Sequence, residues 1–332
     1  RIGRDGNELA EIDLEVQHVI GSGHHGQSFL VERDGYLMMS PITWYPDKQI
    51  WDLSPGYETN NSQFNRPVVE QCVYCHTDIA NAVPNTLNRY ASPSISRHAI
   101  GCERCHGPGA QHVALQESGQ EDSLSVVNPV KLTPDLREAV CQQCHLSGAV
   151  RVTKPGKTLY DFVPGQPLES AYTIFSAPEE EGDQFVGHVE KMYASRCFQE
   201  SDGRLGCISC HDPHGLPAPD QKVSFYRDRC LRCHGQDDAP CSEPLEERQA
   251  VSVEDNCVTC HMPSRPTEIR HAATTDHSVP RTPTSRSDWQ GTDTLFAFPS
   301  DRKAKPTARD EAIAVVRVAG RRPSLFSDAD LD

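Results

Sequence analysis

The sequence predicts a mainly α-helical chain with much irregular structure, low overall secondary-structure content and a small N-terminal β module. Three observations lead to this reading. First, the chain of 332 residues is lean, at 36% hydrophobic and 7% aromatic, which is little apolar mass for a core of that size. Second, its 14 cysteines and 15 histidines fall into a repeated cluster. Third, a tight-turn signal sits between short β-type runs near the N-terminus. A core must therefore be supplied by something other than side chains.

The β module covers residues 10–60. Leu14 to Ile20 alternates loosely between apolar and polar. Phe29-Leu30-Val31 and Tyr36-Leu37-Met38-Met39 flank Asp34-Gly35, and Asp-Gly supplies the positive φ angles of a hairpin turn. Ile50-Trp51-Asp52-Leu53 adds a further strand.

Residues 64–280 carry the cluster. Twelve cysteines form six Cys-x-x-Cys pairs, each followed directly by a histidine. The pairs are Cys72 and Cys75 with His76, Cys102 and Cys105 with His106, and Cys141 and Cys144 with His145. The remainder are Cys207 and Cys210 with His211, Cys230 and Cys233 with His234, and Cys257 and Cys260 with His261. This is the attachment signature of c-type haem. The two thiols add to the porphyrin vinyl groups, and the adjacent histidine ligates iron from the proximal side. Structural zinc uses paired cysteines but has no need of histidine at the next position. Random placement would put it there six times with odds of roughly one in 10⁸. A thioredoxin-like site would be a single motif in a βαβ setting, which is absent. Six covalent haems c also account for the lean composition, because buried porphyrin faces replace apolar side chains.

Short helices joined by loops are expected across this region, the best candidates being Asp135 to Cys144, after Thr133-Pro134, and Asp183 to Gln199. Residues 148–178 are punctuated by Pro and Gly, carry no motif, and read as an irregular wrap around the haem core. Residues 281–332 lack Cys and His and read as a polar C-terminal tail or docked arm, with one helix over Pro306 to Ala319. The first cysteines are spaced 30, 39, 66, 23 and 27 residues apart, so no solenoid period fits.

Nine histidines lie outside the motifs, enough to give every iron a second imidazole. The distal candidates are His112, His214, His271, His277, His25 and His188, with His18, His24 and His98 in reserve. His112 and His214 follow the proximal histidines of their own motifs so closely that each should serve a different haem. The four methionines read as packing residues. Cys197 and Cys241 have no Cys-x-x-Cys partner, and in an oxidising compartment they are expected to form a disulfide.

Ala99-Ile100-Gly101-Cys102-Glu103-Arg104-Cys105-His106-Gly107-Pro108-Gly109 and Cys207-Ile208-Ser209-Cys210-His211-Asp212-Pro213-His214-Gly215 carry a family resemblance. Both look like the multihaem cytochromes related to the tetrahaem electron acceptor of hydroxylamine oxidoreductase. The stretch from Val19-Ile20-Gly21-Ser22-Gly23 to Trp51-Asp52-Leu53-Ser54-Pro55-Gly56-Tyr57 is similar to the β module of larger bacterial versions, which often continue into tetratricopeptide repeats. The resemblance covers residues 18–280 and implies electron transfer through mostly bis-His haems.

The leading functional expectation is an electron conductor, since two imidazoles per iron leave no open position for a substrate. The alternatives are an oxidoreductase acting on a small nitrogen or sulfur compound at a five-coordinate haem, and a subunit of an extracellular electron-conducting assembly. Expected partners are redox proteins serving as donor and acceptor, and further copies of the chain itself. The net charge of −15 argues against a nucleic-acid partner. Residues 281–332 carry +1, which leaves −16 on the first 280 and suits basic redox partners. No run approaches the ~18 apolar residues of a membrane span. Haem c is attached outside the cytoplasm, so a periplasmic or extracellular location is expected, and Arg1 reads as a processed or truncated start.

Overall fold

The structure is a computed structural model. It describes residues 2–4, 7–57, 62–120, 125–146, 148–177, 187–235, 241–264, 275–282, 295–299 and 305–326. The chain forms two compact units, 1–104 and 105–332. The first motif therefore shares a unit with the β module, and the expected division near residues 60–64 does not coincide with the unit boundary.

The first unit opens with a short hairpin, β1 (Ile2–Arg4) and β2 (Asn7–Ala10). A five-stranded antiparallel sheet follows, formed by β3 (His18–Ile20), β4 (Gln27–Arg33), β5 (Tyr36–Tyr45), β6 (Ile50–Leu53) and β7 (Arg66–Pro67). Asp34 and Gly35 join β4 to β5 with φ of 53° and 80°, the two left-handed positions that an Asp-Gly hairpin turn requires. Alternation along β4 and β5 buries Leu30, Leu37 and Met39 on one face. Helix α1 (Glu70–His76) leads into a two-stranded sheet of β8 (Ile79–Ala82) and β9 (Tyr90–Arg97). Helix α2 (Glu103–His106) starts in this unit.

The second unit contains α3 (Ala110–Glu117), α4 (Pro134–His145), β10 (Val150–Thr153), β11 (Tyr172–Ser176), α5 (His188–Ala194), α6 (Arg196–Gln199) and α7 (Cys207–Cys210). It continues with α8 (Lys222–His234), α9 (Leu245–Val251), α10 (Cys257–His261), β12 (Phe296–Ala297) and α11 (Ala308–Ala319). The helix begun at Thr133-Pro134 forms as expected. The one expected from Asp183 is two short helices parted at Ser195, whose hydroxyl caps α6 by accepting the Phe198 N–H at 3.2 Å. Residues 183–186 lie outside the described residues.

Two expectations require correction. Residues 148–178 are not an irregular wrap: β10 and β11 pair antiparallel, and β12 joins them from 120 residues downstream. Secondary structure is also not sparse, with eleven α-helices and twelve strands among the described residues. The physical reason for both is a side-chain core that the composition hid. Val150, Val152 and Phe175 pack on Ala314 and Val318 of α11. Burying a valine fully stabilises by roughly 1.5–3 kcal/mol, which is ample to dock the amphipathic face of α11 on this sheet. Thr307 caps that helix by accepting the Asp310 N–H at 3.2 Å. Asp310 is fully buried and receives Lys154 Nζ at 2.6 Å. Helix α11 is thus a docked arm.

Candidate haem-attachment sites

Each of the six motifs overlaps a helix. His76, His106, His145, His234 and His261 are the last helical residues of α1, α2, α4, α8 and α10, whereas Cys102 precedes α2 and His211 follows α7 in extended backbone. On a helix the two cysteines are three positions apart and the histidine is four from the first. In α1, α4, α8 and α10 both thiols and the imidazole therefore share one face. That face can take both thioether links and one axial bond of the same porphyrin.

The rings of the second unit test whether haem fits. His106 and His214 face each other with centroids 6.0 Å apart and planes 6° from parallel. His145 and His188 stand 6.1 Å apart, and His211 and His277 stand 6.3 Å apart. Two imidazoles bound to one iron have ring centres about 6 Å apart, from two bonds of about 2 Å and two ring radii. The three gaps match this span. Each pair joins a motif histidine to a distal candidate. His214 lies opposite His106 of the second motif rather than His211 of its own.

Proton placement agrees with ligation. His106 Nδ1–H donates to Val127 O at 2.7 Å, His261 Nδ1–H to Pro280 O at 3.0 Å and His277 Nδ1–H to Thr275 O at 2.9 Å. A carbonyl can only accept, so these bonds leave the Nε2 lone pair for a metal. His211 Nδ1 instead meets the Tyr226 hydroxyl at 3.5 Å. Burial lowers the pKa of His76, His145, His211 and His277. His188 is pushed down to about 3 by burial and by its neighbours His277, His145 and His211. These imidazoles are neutral, as ligands must be. Burial likewise raises the Cys72 and Cys210 thiols.

The other candidates are placed differently. His25 is exposed on the β module, its Nδ1 2.7 Å from Asp47 Oδ2. His112 lies part-buried on α3. His271 lies outside the described residues. The reserves His18 and His98 approach each other at 5.4 Å, with His18 Nε2 at 2.9 Å from Ser94 Oγ, whereas His24 is exposed. Met39 and Met192 are buried packing residues. Cys197 and Cys241, like the twelve motif cysteines, stand as free thiols in this structure. Cys197 is half-buried within electrostatic reach of Cys233, while Cys241 is exposed.

Several contacts between motifs had no signal in the sequence. In the first unit Arg104 lies 4.1 Å over the Tyr74 ring and donates to Tyr74 O at 3.1 Å, joining the variable positions of the first two motifs. In the second unit Cys207 Sγ sits 3.0 Å from Oε2 of the buried Glu138, which also accepts the Cys207 N–H. Glu138 precedes Cys141 by three residues on α4, and that helical spacing was the one available hint.

These features define a multihaem c-type cytochrome. Comparison with known proteins bears out the resemblance at that level. Residues 201–239 match the family described as the doubled CXXCH motif. The chain is 24% identical over 191 residues to the multiheme cytochrome MtrA of Shewanella baltica, covering 52% of this chain and 54% of that protein. It thus spans about half the length of the curated relative it matches. Among solved structures, the outer cell wall cytochrome OcwA aligns with a TM-score of 0.45 at 18% identity, over 77% of this chain and 66% of that one. The undecaheme S-layer cytochrome of Carboxydothermus ferrireducens aligns with a TM-score of 0.37 at 17% identity, over 78% of this chain and 45% of that one. No helix among the described residues is long and apolar enough to cross a membrane.

Proposed function

We propose that the chain conducts electrons through six covalently bound haems c, mostly held between two histidines, and works in the periplasm or outside the cell. The supporting observation is the set of three facing ring pairs, His106 with His214, His145 with His188 and His211 with His277. Haem c supplies one-electron exchange when bound. The chain's own part is to fix both axial nitrogens, exclude water and hold the Nδ1 protons on carbonyls. Filling both axial positions leaves a small molecule no place to bind, which favours conduction over catalysis. Partner redox proteins deliver and remove the electrons. A denaturing mass spectrum of protein matured with haem tests the count. Six covalent additions are expected, and fewer would remove the corresponding motifs from the proposal.

A further inference from the structure

The fourth motif lies where contacts from three others meet. To the second motif, it sends His214, three residues past His211, whose ring faces His106 at 6.0 Å. Toward the third, Glu138 on α4, three residues before Cys141, lies 3.0 Å from Cys207 Sγ and accepts the Cys207 backbone N–H at 3.1 Å. The two facing imidazoles of these sites also touch, with His188 and His277 centroids 4.4 Å apart. Toward the fifth, Tyr226 of α8, the helix that ends in motif five, sets its ring edge-on to His211 at 5.7 Å. Beyond it α8 and α10, which end in the fifth and sixth motifs, pack together. Asp255, just before α10, holds Arg227 of α8 at 3.3 Å and Arg248 of α9 at 3.0 Å, which fixes that contact.

We propose that the site of His211 and His277 is an electron junction, exchanging electrons directly with the sites of His106, His145 and His234. The proposal rests on the conduction reading above and specifies its wiring. Each hop carries one electron from a reduced site to its oxidised neighbour. No bond is made or broken and no co-reactant is consumed within the chain. A side chain that belongs to two sites at once, as His214 does, shortens the separation such a hop must cross.

The test uses the full-length haem-loaded protein, wild type and His277→Ala, reduced under carbon monoxide and then drained with a one-electron oxidant in a stopped-flow instrument. Wild type should drain in one phase. His277→Ala should show one high-spin haem more than wild type and bind one further carbon monoxide, which holds an electron at the junction. Its drain should then split, with a phase at least about tenfold slower. A single fast phase in a variant that does bind carbon monoxide would overturn the junction. A variant that stays low-spin and binds none would instead refute the pairing of His211 with His277. If the alanine variant fails to mature, His277→Met supplies a thioether ligand that raises the potential and makes the same site an electron trap. A split drain is expected there too, and an unsplit one would again overturn the junction.

Discussion

His106 and His214 are separated by 108 residues, yet their rings lie 6° from parallel with centres 6.0 Å apart. One is fixed by its Nδ1–H bond to Val127 O, and the other follows a different attachment motif. A ligand borrowed in this way from another motif would tie the two sites together. The expected consequence of His214→Ala is therefore local. One haem becomes high-spin and binds carbon monoxide, while the remaining low-spin signals persist, as electron paramagnetic resonance can show.

The free thiols give a second prediction. On the six-haem reading, alkylation of denatured, unreduced protein should label only Cys197 and Cys241, which stand free in this structure. Zero labelled cysteines would restore the disulfide.

The arm α11 gives a third. Burial raises the Asp310 carboxyl, but bonds from Lys154, Thr307 and Arg309 outweigh it and hold the carboxyl below the usual range. The folded pKa is lower than the unfolded value of about 3.9. The resulting stabilisation is complete above about pH 4 and is lost as pH falls through the lower folded value. Asp310→Ala leaves Lys154 with Thr173 Oγ1 at 3.0 Å and should cost about 2 kcal/mol of local stability. Amide exchange along Ala308–Ala319 measures both the pH trend and the loss.

Charge gives a fourth. The first 280 residues carry −16, so electron exchange with a basic redox protein should slow as salt rises. A rate independent of salt would confine the charge to a role in solubility.

The parts of the fold set by local chemistry were legible. Asp34-Gly35 announced its hairpin, Thr133-Pro134 its helix, and the adjacency of Cys-x-x-Cys and His its cofactor. What stayed hidden depends on contacts distant in sequence. Phe175 pairs with Ala297 across 122 residues, and the Pro- and Gly-rich stretch around β10 and β11 masked the buried Val150 and Val152. The facing ring pairs were not legible, because packing chooses them, as His277 shows by reaching His211 and His188 together. The contact of His25 Nδ1 with Asp47 Oδ2 likewise had no signal in the sequence.

The most direct test of the account is the spin state of the native oxidised protein, read by electron paramagnetic resonance together with carbon monoxide binding after reduction. The account predicts that the haems at His106, His145 and His211 are low-spin with two histidine ligands and bind no carbon monoxide. High-spin signals and carbon monoxide uptake at these three sites would contradict it.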